Sequence, residues 1–237
     1  MISIYNPEEL EIAVLEDPRD KVVFSGERGI MAHWLKNLFP SHNTFVSTHV
    51  VGAAEFLVKE SGGPGKDILN CVSEESLNFF KTMREDPGKF CQRLYFLNNE
   101  IPSVENLERL SKSKTAVNRA VAHYYLDKNL AGSLGKTFKT RIASLEALAM
   151  RLLNVEIVQS SLEKLIAKYD SPKTLWYHEP PDHPEWLEGE LDKVKGKVVV
   201  VAENHSVNLQ YYKSWRREYP EVKIDGSHPK FIAWCNW

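Results

Sequence analysis

The stretch Thr174-Leu175-Trp176-Tyr177-His178-Glu179-Pro180-Pro181-Asp182 decides how this chain is read. A short apolar run of strand-forming residues leads into a carboxylate, Glu179, on a loop that two prolines stiffen. A helix-like segment, Pro184-Glu185-Trp186-Leu187-Glu188, follows it. Outward from this stretch, strands are expected downstream at Lys197–Ala202 and Phe231–Trp234, and upstream at Val155–Val158, Asp67–Asn70, Thr44–Thr48 and Lys21–Phe24. Between the early strands, helical spacing is read at 8–16, at Ile30–Leu38 with Pro40 as its stop, near Gly52–Lys59, and from Ser73 through Leu77, Phe80 and Met83. The run Gly62-Gly63-Pro64-Gly65 lacks a Gly-Lys-Thr ending and precedes a strand, so it is a turn and not a phosphate loop.

From about Pro87 to Arg151 strand signals stop and helical, basic sequence dominates. Strand–helix alternation broken by a helical insertion predicts a parallel sheet built from residues 1–86 and 152–237, with 87–151 as an inserted subdomain. The net charge of −2 conceals an asymmetry: Arg109, Lys112, Lys114, Arg119, Lys128, Lys136, Lys139 and Arg141 face a single acid, Asp127, within 109–141. That segment carries +7 and leaves −9 for the remainder. Such a block is the electrostatic footprint of a polyanion, although solvated helix faces also collect lysines.

The composition, 43% hydrophobic and 26% charged, is that of an ordinary globular protein. The longest apolar run, Val198–Ala202, is too short to span a bilayer, and residues 1–5 lack the form of a signal peptide. No membrane association is expected, and a cytoplasmic location is the default. Cys71, Cys91 and Cys235 are far apart and suggest neither disulfides nor zinc. His178, Glu179, Asp182, His183 and Glu185 lie close in sequence without a helical His pair, so no metal site is expected.

With these pieces in order, the chain resembles the DNA adenine-N6 methyltransferases of the Dam type over nearly its whole length. The family's catalytic loop reads Asp-Pro-Pro-Tyr; its Asp and first Pro carbonyl hold the exocyclic amine of a flipped adenine and its Tyr stacks on the ring. Glu179-Pro180-Pro181-Asp182 falls on that loop. Gly26-Glu27-Arg28 falls on the family's Gly-Gly-Lys entry turn, and Val46-Ser47-Thr48-His49-Val50-Val51-Gly52-Ala53 on its Val-Glu-Pro-Phe-Gly-Gly-Gly-Ala cofactor turn. Asn70-Cys71 falls on a strand end that normally reads Asn-Asp, and Ser161 on one that normally ends in Asp. Tyr124 to Asn129 and Gly132 to Phe138 resemble the family's recognition region. The resemblance implies a Rossmann-like methyltransferase sheet with a recognition-type helical insertion.

The departures fall where chemistry would sit. Val50 and Val51 replace glycines in the cofactor turn ahead of Gly52, and β-branched residues resist φ > 0 and fill ligand space. Ser47, Cys71 and Ser161 stand where acids would accept hydrogen bonds from the amine and ribose of S-adenosylmethionine. Each such bond is worth about 1.5–3 kcal/mol, so losing two or three costs on the order of a thousandfold in affinity. Glu179 keeps a carboxylate but displaces it by about an ångström. Asp182 replaces a stacking ring worth about 1–3 kcal/mol with an anion.

The expectation is therefore a catalytically inactive homologue, a pseudo-methyltransferase that keeps a nucleic-acid- or partner-binding role. Glu179, Pro180, Pro181 and Asp182 form its degenerate catalytic loop, and Gly26, Arg28, Ser47, Val50, Val51, Gly52, Cys71 and Ser161 its degenerate cofactor positions. No cofactor is expected. DNA is the expected partner, held weakly and electrostatically by the eight basic residues of 109–141, with a protein partner also open. The alternative is an active, site-specific DNA adenine-N6 methyltransferase that uses S-adenosylmethionine through a rebuilt pocket. A third reading is another enzyme that reuses the cleft with His178, Glu179 and Asp182 as acid or base groups. His49, just past a strand, reads as a strand-capping core residue ahead of a general base. Tyr124 and Tyr125 are candidates for base stacking, and helix packing explains at least one of them equally well.

Overall fold

Seven strands, β1 (Thr44–Ser47), β2 (Lys66–Asn70), β3 (Val155–Val158), β4 (Thr174–His178), β5 (Lys197–Glu203), β6 (Arg216–Glu218) and β7 (Phe231–Cys235), form one sheet in the order β3-β2-β1-β4-β5-β7-β6. The computed structural model describes residues 34–50, 53–59, 65–98, 102–127, 138–179, 190–204, 210, 212–220 and 231–237. The expected helix at 8–16, the strand at 21–24 and the candidate positions Gly26, Arg28, Val51, Gly52, Lys128, Lys136, Pro180, Pro181 and Asp182 lie outside the described residues.

β1 pairs in parallel with β2 on one side and β4 on the other, β2 extends the parallel array to β3, and β4 extends it to β5. β7 runs antiparallel to both β5 and β6. A parallel sheet covered on both faces needs strands that are apolar on both sides. Accordingly Val198, Val199, Val200 and Val201 are all fully buried, as are Leu175 and Trp176 of β4. β6 is the exception. Its Arg216-Arg217-Glu218 carries no apolar residue and was not expected as a strand. It forms because β7 offers a backbone ladder, and its charges blunt the sheet edge.

Besides the helical residues 34–38, the described helices are α1 (Ala54–Val58), α2 (Glu74–Glu85), α3 (Pro87–Asn98), α4 (Val104–Ser111), α5 (Ala116–Leu126), α6 (Phe138–Leu152) and α7 (Leu162–Tyr169). Ser73 caps α2 by accepting from Ser76 N at 3.1 Å, and Ser103 caps α4 by accepting from Asn106 N at 3.2 Å. The helical stretch packs on α2: the Phe79 ring lies 5.6 Å from Phe90 and 6.4 Å from Tyr124. Phe90, Tyr124 and Leu148 share one core cluster with Phe45, Leu69 and Tyr177 of the sheet. At the opposite end of the sheet from the strand carboxyl ends, buried Lys59 pairs with Asp67 at 2.8 Å, and Arg151 donates to Phe56 O and Lys59 O. These bonds fasten α1 to β2 and α6.

The architecture is a mixed α/β sheet flanked by helices, Rossmann-like in its run of parallel strands. Strand order reverses between β1 and β4: the chain steps outward from β1 through β2 to β3, then returns to β4 beside β1. In such sheets ligands bind beyond the strand carboxyl ends at that reversal.

Candidate functional site

The reversal point brings together the ends of four strands. Ser47, Thr48 and His49 close β1, Asn70 and Cys71 close β2, Gln159 to Ser161 follow β3, and His178 and Glu179 close β4. Register fixes this neighbourhood, since Ser47 is paired with Leu69 on one side and Tyr177 on the other.

Asn70 binds the ends of three strands. Its Nδ2 donates to Thr48 O at 2.9 Å and to Ser160 O at 3.1 Å, and its Oδ1 accepts from Ser160 N at 2.8 Å. The backbone continues the seam: Val50 N donates to Asn70 O at 3.0 Å and Cys71 N to Val158 O at 2.8 Å. Ser47 Oγ, fully buried, donates to Glu55 Oε1 at 3.3 Å, a carboxylate of α1 that is itself buried.

Across the β1–β4 seam, Thr48 N and Thr48 Oγ1 both donate to Tyr177 O, at 2.9 and 3.2 Å. Thr48 Oγ1 also lies 2.5 Å from His178 Nδ1. With the hydroxyl proton given to Tyr177 O, this contact fits a neutral imidazole that donates from Nδ1. Burial, and secondarily the neighbouring His49, pushes His178 down to about 3. Burial alone lowers His49. Two histidines held neutral supply neither a cation for a phosphate nor, in His178, a base able to take a proton near neutral pH. Glu179 Oε2 accepts from Tyr177 Oη at 3.2 Å.

The expected cofactor positions separate into distinct environments. Ser47 and Cys71 are fully buried, and burial pushes the Cys71 thiol up to about 11. Val50 is 2% exposed and belongs to the same core cluster as Leu69 and Tyr177. Positive φ falls on Ala53, at 56°, and not on Val50. Ser161 is exposed and forms the N-cap of α7. Thr48, Asn70 and Glu55 were not singled out from sequence. Their signal, a polar residue directly at a buried strand end, was present for Thr48 and Asn70 and absent for Glu55.

The basic residues also divide. Arg109, Lys112, Lys114 and Lys139 are exposed. Arg119 is tied into the fold, donating to Ser113 O at 2.9 Å, Lys114 O at 3.0 Å and Asn78 Oδ1 at 3.4 Å. Arg141 faces Tyr124, whose hydroxyl burial lifts to about 12 against the pull of that cation. Tyr124 is fully buried, so packing accounts for it, whereas Tyr125 is half-buried. Among the described residues no group of three or more His, Cys, Asp or Glu is placed to hold a metal, and no helix is long and apolar enough to cross a membrane.

No family model matches the chain, and no curated protein matches it in sequence. Among solved structures it is similar to an rRNA methylase of Clostridium thermocellum, with 11% identity, a TM-score of 0.42 and coverage of 89% of this chain and 95% of that one. It is likewise similar to the O-methyltransferase of Bacillus cereus in complex with S-adenosylhomocysteine, with 10% identity, a TM-score of 0.42 and coverage of 100% and 94%. These are distant likenesses of fold to methyltransferase-fold proteins, neither of them of Dam type.

Proposed function

We propose that this chain is a catalytically inactive methyltransferase-fold protein, a pseudo-methyltransferase of Dam-like descent, which retains a nucleic-acid-binding role through its basic helical region. One observation carries the reading: the polar groups at the strand ends spend their hydrogen bonds on one another. Asn70 engages Thr48 and Ser160, Ser47 engages Glu55, and Thr48 engages Tyr177 and His178. A bound S-adenosylmethionine needs acceptors at those ends for its amine and ribose hydroxyls. The side chains there do not fit it: Ser47 and Cys71, both fully buried, set a neutral hydroxyl and a neutral thiol where charged carboxylate acceptors would be needed. Opening the seam would expose the desolvation penalty of each broken pair, about 1–3 kcal/mol per group.

The exposed cations Arg109, Lys112, Lys114 and Lys139 support the binding half of the proposal, since Lys and Arg contacts go mainly to phosphates and carry little sequence information. The test pairs two assays on one preparation. Transfer of labelled methyl from S-adenosylmethionine to duplex DNA should be absent, while the same duplex binds at low salt and is released as salt rises. Methyl incorporation into adenine would overturn the inactive reading, and failure to bind DNA of either form, duplex or single-stranded, at any salt would overturn the nucleic-acid role.

A further inference from the structure

α3 carries an outward face that the fold does not use. Phe90, Cys91 and Leu94 turn into the core, while Lys89, Gln92, Tyr95 and Phe96 are exposed. Tyr95 and Phe96 are 49% and 54% exposed, unusual for two consecutive large rings. Their centroids are 6.4 Å apart with ring planes at 76°, so one ring presents a face beside the other's edge. Tyr95 lies 5.9 Å from Phe138, the first residue of α6, and exposed Lys139 follows directly. A β-carbon added at Gly88, two turns before Tyr95, would meet nothing within 4 Å, so the face is open along the helix.

The charge around these rings indicates what covers them. α3 contains Lys89 and Arg93 and no acid. Lys89 pairs with Asp86 at 3.0 Å and Arg93 donates to Asn118 at 3.0 Å, and exposed Lys139 directly follows Phe138, the α6 residue whose ring lies 5.9 Å from Tyr95. A hydrophobic protein partner would use the rings and pay to desolvate the cations; a strand of nucleic acid uses both, stacking bases on the rings and lining phosphates along the cations. We propose that Tyr95 and Phe96 form a stacking platform for unpaired bases of single-stranded DNA, with Lys139 beside it for the backbone. The assignment rests on the nucleic-acid role proposed above and names the form of DNA this face takes.

The test is fluorescence anisotropy with a labelled single-stranded oligonucleotide of about 20 nucleotides and with the duplex of the same length. Four proteins are compared: wild type, the double variant Tyr95→Ala/Phe96→Ala, the aromatic-preserving Tyr95→Phe/Phe96→Tyr, and Lys112→Ala/Lys114→Ala. Removing both rings should weaken single-strand binding by roughly tenfold or more, as expected for lost base stacking, and leave duplex affinity within about twofold. The aromatic-preserving variant should bind single strands like wild type, which separates stacking from any loss of folding. Duplex binding with no single-strand binding would overturn this assignment and leave the proposed role standing. Equal single-strand affinity of wild type and the ring-deleted variant would do the same. Absence of binding to either form would overturn both. A wild type that is dimeric in gel filtration and becomes monomeric on ring deletion would assign the face to a second copy of the chain and overturn the DNA assignment.

Discussion

Asn70 and Ser160, 90 residues apart in sequence, are joined by both ends of one amide: Oδ1 accepts from Ser160 N at 2.8 Å and Nδ2 donates to Ser160 O at 3.1 Å. Because the same Nδ2 reaches Thr48 O at 2.9 Å, a single side chain fastens the carboxyl ends of β1, β2 and β3.

Asn70→Ala should therefore destabilise the fold by roughly 1–3 kcal/mol, the cost of stranding buried partners. Asn70→Asp should be at least as harmful, since it keeps the size, loses the donor and sets a carboxylate against two carbonyl oxygens. Urea unfolding with an unchanged m-value reads both. A loss below about 0.5 kcal/mol for either variant would show that the amide does not hold the seam.

His178 predicts a pH dependence of definite sign. In the fold its pKa is pushed down to about 3 from an ordinary 6.5, while the unfolded chain titrates near the ordinary value. The unfolded state thus binds the extra proton in that window, and stability is complete above about 6.5 and falls as pH drops toward 3. One such group gives a slope of about 1.4 kcal/mol per pH unit, and His49, also lowered by burial, acts in the same direction. Unfolding measured from pH 7 to pH 5, before most carboxylates titrate, should show the slope, and His178→Asn should flatten it. A variant with the wild-type slope would remove His178 from the account.

Most of the fold was legible. β3 and the bodies of β1, β2, β4, β5 and β7 fall within a residue or so of the expected strands, because each carries β-branched, aromatic or other apolar residues at its buried positions, bounded by polar or turn-forming sequence. β6 was illegible for the converse reason: Arg216-Arg217-Glu218 is a strand only because β7 lies beside it. The site was half legible. The unusual residues Ser47, Cys71 and Glu179 could be identified by position, yet nothing local says that Ser47 finds Glu55 or that Asn70 finds Ser160. Those pairings depend on which strand ends the topology makes neighbours. The charge block was legible only as a sum, since the sequence does not reveal that Arg119 is absorbed by Ser113, Lys114 and Asn78.

That division of the cations gives a third prediction. Lys112→Ala and Lys114→Ala should each leave stability nearly unchanged and reduce the slope of log K against log salt for duplex DNA by about 1. Arg119→Ala should instead lower the melting temperature, because it removes three hydrogen bonds within the fold. If Arg119→Ala unfolds normally and only weakens DNA binding, the sorting of these residues is wrong.

Restoring the catalytic loop should not restore chemistry. Glu179→Asp together with Asp182→Tyr rebuilds the Asp-Pro-Pro-Tyr pattern but leaves Asn70, Ser47 and Cys71 as they are at the strand ends. No N6-methyladenine should form on adenine-containing duplex DNA. Its detection would place the fault in the loop alone and return the chain to the enzymes.

Calorimetric titration of the wild-type protein with S-adenosylmethionine and with S-adenosylhomocysteine reads directly whether the strand-end crevice, laced by the hydrogen bonds of Asn70, Ser47 and Thr48, takes a methyl donor. The expected result is no saturable heat with either ligand at concentrations up to about 1 mM, a binding free energy weaker than about −4 kcal/mol. A one-site isotherm with a dissociation constant near or below about 10 μM, equivalent to roughly −7 kcal/mol, would contradict it.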